Sequence, residues 1–186
     1  MSHRNLIRWG GLAAVLAGIL RGIASFTPTA ASVALQVFYF AIDVLLLLGT
    51  IGVYEFQKKE TGRWGFFGFL LALIGAVLLI GHDVVNAVVL LYPVAAFLFA
   101  LGISVLAIRS WEANTLPHWT SALLITSMVV GILGFFVKGF DVLFIISGVI
   151  FGIGFIGTGL TVWLQPVRSL PYEGLQSASD NRETEA

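Results

Sequence analysis

Six stretches of this chain are long and apolar enough to cross a bilayer, and that constrains its fold more than any motif does. A helix rising 1.5 Å per residue needs about 20 apolar residues to cover a hydrocarbon core roughly 30 Å thick. Residues 6–26, 32–54, 64–80, 84–108, 119–137 and 142–164 answer to that description. Lipid offers no hydrogen bonds, so each stretch must satisfy its own backbone as a helix. The proportions agree: of 186 residues, 58% are hydrophobic and only 11% charged, against about 25% charged in a soluble domain. The reading is an all-α, polytopic membrane protein with six transmembrane helices.

The intervals between spans are of two kinds. Short linkers at 27–31, 81–83 and 138–141 join the spans into hairpins of about 6–54, 64–108 and 119–164. Polar loops at 55–63 and 109–118 join one hairpin to the next. The transmembrane domain then covers 1–165. The tail 166–186, with Pro166, Pro171 and a polar run, holds too little apolar surface to offset its ordering and is expected to be disordered. Pro93 falls inside the fourth span, where a missing backbone N–H toward Val89 predicts a kink.

Basic residues set the orientation. Arg4, Arg8, Lys58, Lys59, Arg63, Arg109, Arg168 and Arg182 fall on the side of the N-terminus, and Lys138 alone falls opposite. Positive charge gathers on the cytoplasmic side, so both termini are expected in the cytoplasm and the protein in the cell (inner) membrane. The tryptophans at 9, 64, 111, 119 and 163 lie near the same ends of their helices, where indole prefers the headgroup layer. The first span could instead be a signal peptide cut near Thr29-Ala30-Ala31. Arg21 interrupts its apolar run, and the repeat described next requires it as a helix.

Trp9, Trp64 and Trp119 are spaced 55 residues apart, each preceded by Arg8, Arg63 or His118. At the same period, Gly49, Ser104 and Gly159 place a small residue late in every second helix. The simplest account is one helical hairpin repeated three times. Each copy crosses the membrane twice, so all three share an orientation. Small residues also recur every fourth position at Gly10, Ala14, Gly18 and Gly22, at Gly68, Ala72 and Ala76, and at Gly148 and Gly152. In lipid, close backbone approach over such residues drives helix association. Packing within one chain is the favoured use and a homo-oligomer seam the other.

Chemistry is sparse. No metalloprotease, nucleophile-elbow or phosphate-loop motif occurs, and cysteine is absent. Net charge is zero, so nothing points to nucleic acid. No cofactor or metal is expected: His82 and His118 fall at opposite membrane faces and cannot share one. His82, Asp83, Lys138 and Asp141 are expected at the outer face as ordinary polar loop residues.

The exception is Arg21 with Asp43. A charge within a span is costly, about 2.5–3.5 kcal/mol even on insertion scales. Counting from 6 and from 54, Arg21 stands roughly 22 Å and Asp43 roughly 16 Å above the inner boundary. Side chains lean toward their own helix N-terminus, so Arg21 leans inward, Asp43 leans outward, and the gap closes. The repeat carries Arg21 onto Ala76 and Gly131, and Asp43 onto Leu98 and Ile153. Only the first copy is charged. Gln36 and Tyr39, two turns and one turn before Asp43, extend the polar stripe outward. A candidate intramembrane polar site therefore comprises Arg21, Asp43, Gln36 and Tyr39. A structural ion pair is the competing use.

The layout, with its Trp9, Trp64 and Trp119 starts and glycines such as Gly49 and Gly159, resembles the HdeD-like family of small six-helix bacterial inner-membrane proteins. The resemblance covers most of the spans without a diagnostic motif. It implies a stress-linked membrane protein and carries over no site residue. The expectation is a non-enzymatic membrane protein, stress-linked or an accessory subunit, with the bilayer and a second copy or a larger membrane complex as partners. A small-solute transporter or channel using Arg21 and Asp43 is the alternative.

Overall fold

The computed structural model describes residues 3–27, 32–85, 91–136 and 142–164. These form five helices and no strand: α1 (His3–Ala24), α2 (Val33–Val85), α3 (Leu91–Glu112), α4 (His118–Phe136) and α5 (Val142–Leu164). All five are long and apolar enough to cross a membrane. The linker at 138–141, most of that at 27–31, and the tail 166–186 lie outside the described residues.

The 53 residues of α2 would measure about 80 Å as one straight rod, far beyond a bilayer. The rod is bent double. Gly62 sits at φ 60°, ψ −157°, a conformation essentially reserved for glycine. Tyr54 and Phe69, on either side of it, stack with ring centroids 4.1 Å apart. In a straight helix those positions would stand roughly 22 Å apart. Residues 33–61 and 63–85 are therefore two antiparallel arms joined at a single residue.

That corrects the expected polar loop at 55–63. The segment stays helical to Thr61 because Glu, Lys and Gln are good helix formers and Lys58 pairs with Glu55 at 2.7 Å along the helix. Polarity there marks where the helix leaves the apolar layer, not where it ends. The linker at 81–83 is likewise helical, since α2 runs on to Val85. The loop at 109–118 shrinks to 113–117, closed by Asn114 in the left-handed region at φ 52°. Pro93 lies near the described start of α3 at Leu91, and Val89, on which the expected kink turns, lies outside the described residues.

Each helix packs on its neighbours in sequence, and α5 returns to pack on α1, closing a ring. Gly10 and Gly52 bring α1 and the first arm of α2 too close for a Cβ on either. A Cβ on Gly18 would stand 2.6 Å from the Gly152 carbonyl oxygen of α5. Gly68 crosses α3 equally closely, beside Gly102 and Leu106. These glycine contacts all lie within one chain. The interior holds fully buried alanines such as Ala14, Ala17, Ala72, Ala76 and Ala95, while Phe67, Val77, Leu133 and Phe136 point outward. Small inside and large outside is the distribution of helices packed in lipid, where large apolar groups gain nothing by leaving the surface.

The first arm of α2, α3 and α5 run parallel through the middle. Gln57 meets Ser110 and Phe99 meets Phe151, so residues just over fifty apart stand at equal height. The helices between them run the other way.

Candidate functional site

Buried polar side chains gather at the two ends of the bundle. At one end, Arg21 occupies the last turn of α1, its own carbonyl capped by the Ser25 hydroxyl at 3.0 Å. Its guanidinium lies within electrostatic reach of the Tyr92 hydroxyl on the first turn of α3 and of Asp43 and Tyr39 on the first arm of α2. Asp43 is buried at 7% exposure and has its own partner. The Tyr39 hydroxyl lies 3.1 Å from Thr27 Oγ1. Thr27 already donates its one proton to the Ala24 carbonyl at 2.8 Å, so Tyr39 is the donor in that pair. His82, near the end of α2, sets its ring 5.5 Å from that of Tyr92. Its Nδ1 is buried with no hydrogen-bond partner among the described residues.

Asp43 and Tyr39 thus stand within electrostatic reach of Arg21. Gln36 is exposed, two turns before Asp43 on the same helix. Sequence reasoning missed Tyr92, Thr27 and His82. The signal was faint: Tyr92 adjoins Pro93 and was absorbed into a span that, in the structure, starts seven residues later than its apolar run. His82 was assigned to an outer cap whose other members, the Asp83 side chain, Lys138 and Asp141, lie outside the described residues.

At the opposite end Gln57 is completely buried. Its side-chain amide lies 2.5 Å from Ser110 Oγ and 3.0 Å from Thr115 Oγ1. Each hydroxyl also faces a backbone carbonyl, Ser110 at 2.6 Å to Leu106 and Thr115 at 3.4 Å to Ser110. One proton per hydroxyl cannot serve two acceptors. The count balances when the amide nitrogen donates to both hydroxyls and these donate to the carbonyls, which leaves a carbonyl rather than an N–H without a partner, the cheaper orphan. This knot ties the first arm of α2, α3 and the 113–117 loop. A cavity of about 10 Å³ beside it is walled largely by Val53, Ile103, Leu106, Leu124 and Phe155.

His118 lies at this second end against the Trp111 ring, far from His82. Among the described residues no three metal-binding side chains gather. Comparison with protein-family models, curated proteins and solved structures finds no match to the chain.

Proposed function

We propose that the chain is a six-span protein of the cell membrane, built as three like-oriented helical hairpins with both termini in the cytoplasm. Three features support the layout. Each half of the doubled α2 is long enough to span. Trp9, Trp64 and Trp119 are all more than half exposed early in a helix, where a headgroup layer would meet them. The parallel central helices pair residues 53 and 52 apart, close to the repeat. Single cysteines at Lys59 and Asn114, both exposed, should be shielded from an impermeant maleimide in intact cells, and one at Ser32 should react. Reaction at Lys59 would invert the orientation.

Within that frame the role is non-enzymatic: a stress-linked or accessory membrane protein, working as a second-copy assembly or within a larger membrane complex. The observation that carries this reading is how the interior polar groups are spent. Thr50, Thr61 and Thr158 bond their own helix carbonyls, Gln57 bonds Ser110 and Thr115, and Ser147 reaches across to Ser127 at 2.7 Å. The Gln57 and Ser147 bonds tie segments to one another, and the threonine bonds stay within their own helices. The layout shared with the HdeD-like family favours the stress-linked form. Cross-linking in native membranes followed by purification should recover a defined complex or homo-oligomer; a protein recovered only as a monomer would count against it.

A second reading, a small-solute carrier or channel, is favoured by Arg21 and Asp43. They act on one another beside Tyr92, whose side chain reaches the surface. Solute uptake into proteoliposomes that disappears in Arg21→Gln would establish it, and no uptake of ions, sugars or amino acids would dismiss it.

A further inference from the structure

We propose, on the basis of the carrier or channel reading, that a gated path for small uncharged polyols runs down the middle of the bundle. It lies between the first arm of α2, α3 and α5. Asp43, Thr50 and Gln57 are spaced seven apart, so they share one face of the first arm of α2. All three are buried. From 43 to 57 the row covers roughly 21 Å of helix, most of a bilayer core. A charged or strongly polar side chain kept inside a span is costly and commonly marks a solute path.

The rim and the middle of the bundle are packed differently. Around the rim, backbones meet over glycine, as Gly10 does on Gly52, Gly18 on Gly152 and Gly75 on Phe99. In the middle, no Cα of α3 comes within 8 Å of one in α5. Rings span that gap instead. Phe99 lies 6.0 Å from Phe151, and Phe151 lies 5.2 Å from Phe155, centroid to centroid. Phe155 also walls the cavity of about 10 Å³ that Gln57 and Thr158 line, and one atom of the Gln57 amide has no hydrogen-bond partner. A centre filled by side chains can open by rotamer changes, which touching backbones cannot do. The three rings form an apolar constriction between polar ends, which is how a hydrophobic gate is built.

The chemistry of the row selects the solute. Thr50 and Thr158 give their protons to the Leu46 and Gly154 carbonyls, so each hydroxyl has only acceptor capacity left. The Asp43 carboxylate faces the opposite charge of Arg21, and Thr50 and Gln57 are neutral. The row therefore favours a molecule that donates hydrogen bonds and carries no charge. Small polyols are that class.

The test uses the full-length protein in liposomes, with glycerol entry followed by stopped-flow light scattering and sodium flux measured beside it. Glycerol should enter faster than in protein-free liposomes, and several-fold faster again in Phe155→Ala, which removes a gate ring. Sodium should stay at background in both. Thr50→Leu, which adds bulk to the row without charge, should return glycerol entry to the protein-free rate. Should Phe155→Ala fail to fold, the near-isosteric Thr50→Val, which removes only the hydroxyl, should still slow entry. Three results overturn the proposal: glycerol at the protein-free rate in wild type and Phe155→Ala alike, sodium passing Phe155→Ala as readily as glycerol, or entry untouched by either Thr50 variant. Uptake of another solute that Arg21→Gln abolishes, with glycerol at background, would leave the carrier reading standing and remove only this path and its solute class.

Discussion

The two polar clusters of this protein differ in what they are made of and in what they hold. The Gln57 knot is neutral, fully buried and local: one amide and two hydroxyls join the first arm of α2, α3 and the following loop. The Arg21 cluster is charged, partly exposed and dispersed. It draws on the end of α1, both ends of α2 and the start of α3. A neutral knot can lose a member and fall back on nearby carbonyls, because Ser110 and Thr115 already face their own. A charged cluster cannot, since removing one member leaves an ion without its counterpart. Charge therefore makes the Arg21 end the more fragile of the two.

The largest expected effect tests this directly. Arg21→Ala or Asp43→Ala should each cost about 3–5 kcal/mol by orphaning the other charge, with protonation of Asp43 softening the first. The double alanine variant should lose less than either. Melting in detergent decides between this and simple additivity, which would mean the two residues do not act on one another.

Next comes the turn that both clusters depend on. Gly62→Ala places a Cβ in a glycine-only conformation with no atom nearby to clash, so its cost of about 1–3 kcal/mol is purely conformational. A Tm unchanged in Gly62→Ala would show that the arms of α2 are not held by this backbone geometry.

The neutral knot should give less. Gln57→Leu is expected to cost about 1–2 kcal/mol, because both hydroxyls keep a backbone acceptor. A loss as large as that of Arg21→Ala would erase the contrast between the two ends. The smallest effect belongs to the half-buried Lys58–Glu55 pair. Lys58→Ala should shift stability by no more than about 0.5 kcal/mol, and a larger loss would mean the charged end of the first arm of α2 is tied down rather than solvated.

Local composition was enough to declare the helices. Runs of apolar residues near 20 long leave the backbone no partner but itself, so α1, α4 and α5 lie close to where hydropathy alone puts them. The small-residue rows at Gly10–Gly22 and Gly148–Gly152 were legible from spacing alone, and helical rise with side-chain lean puts Arg21 and Asp43 at a common depth within one hairpin. What the sequence alone did not determine turned on contacts between distant segments. Polar residues at 55–63 read as a loop because polarity reports contact with water, whereas helicity depends on backbone hydrogen bonds that Glu55–Thr61 go on making. The return of α5 to α1, the burial of Gln57 against Ser110 and Thr115 and the approach of Arg21 to Tyr92 each join residues that no single hairpin contains. Periodicity within a helix says which face is small or polar, but only the packed bundle decides which other helix that face meets.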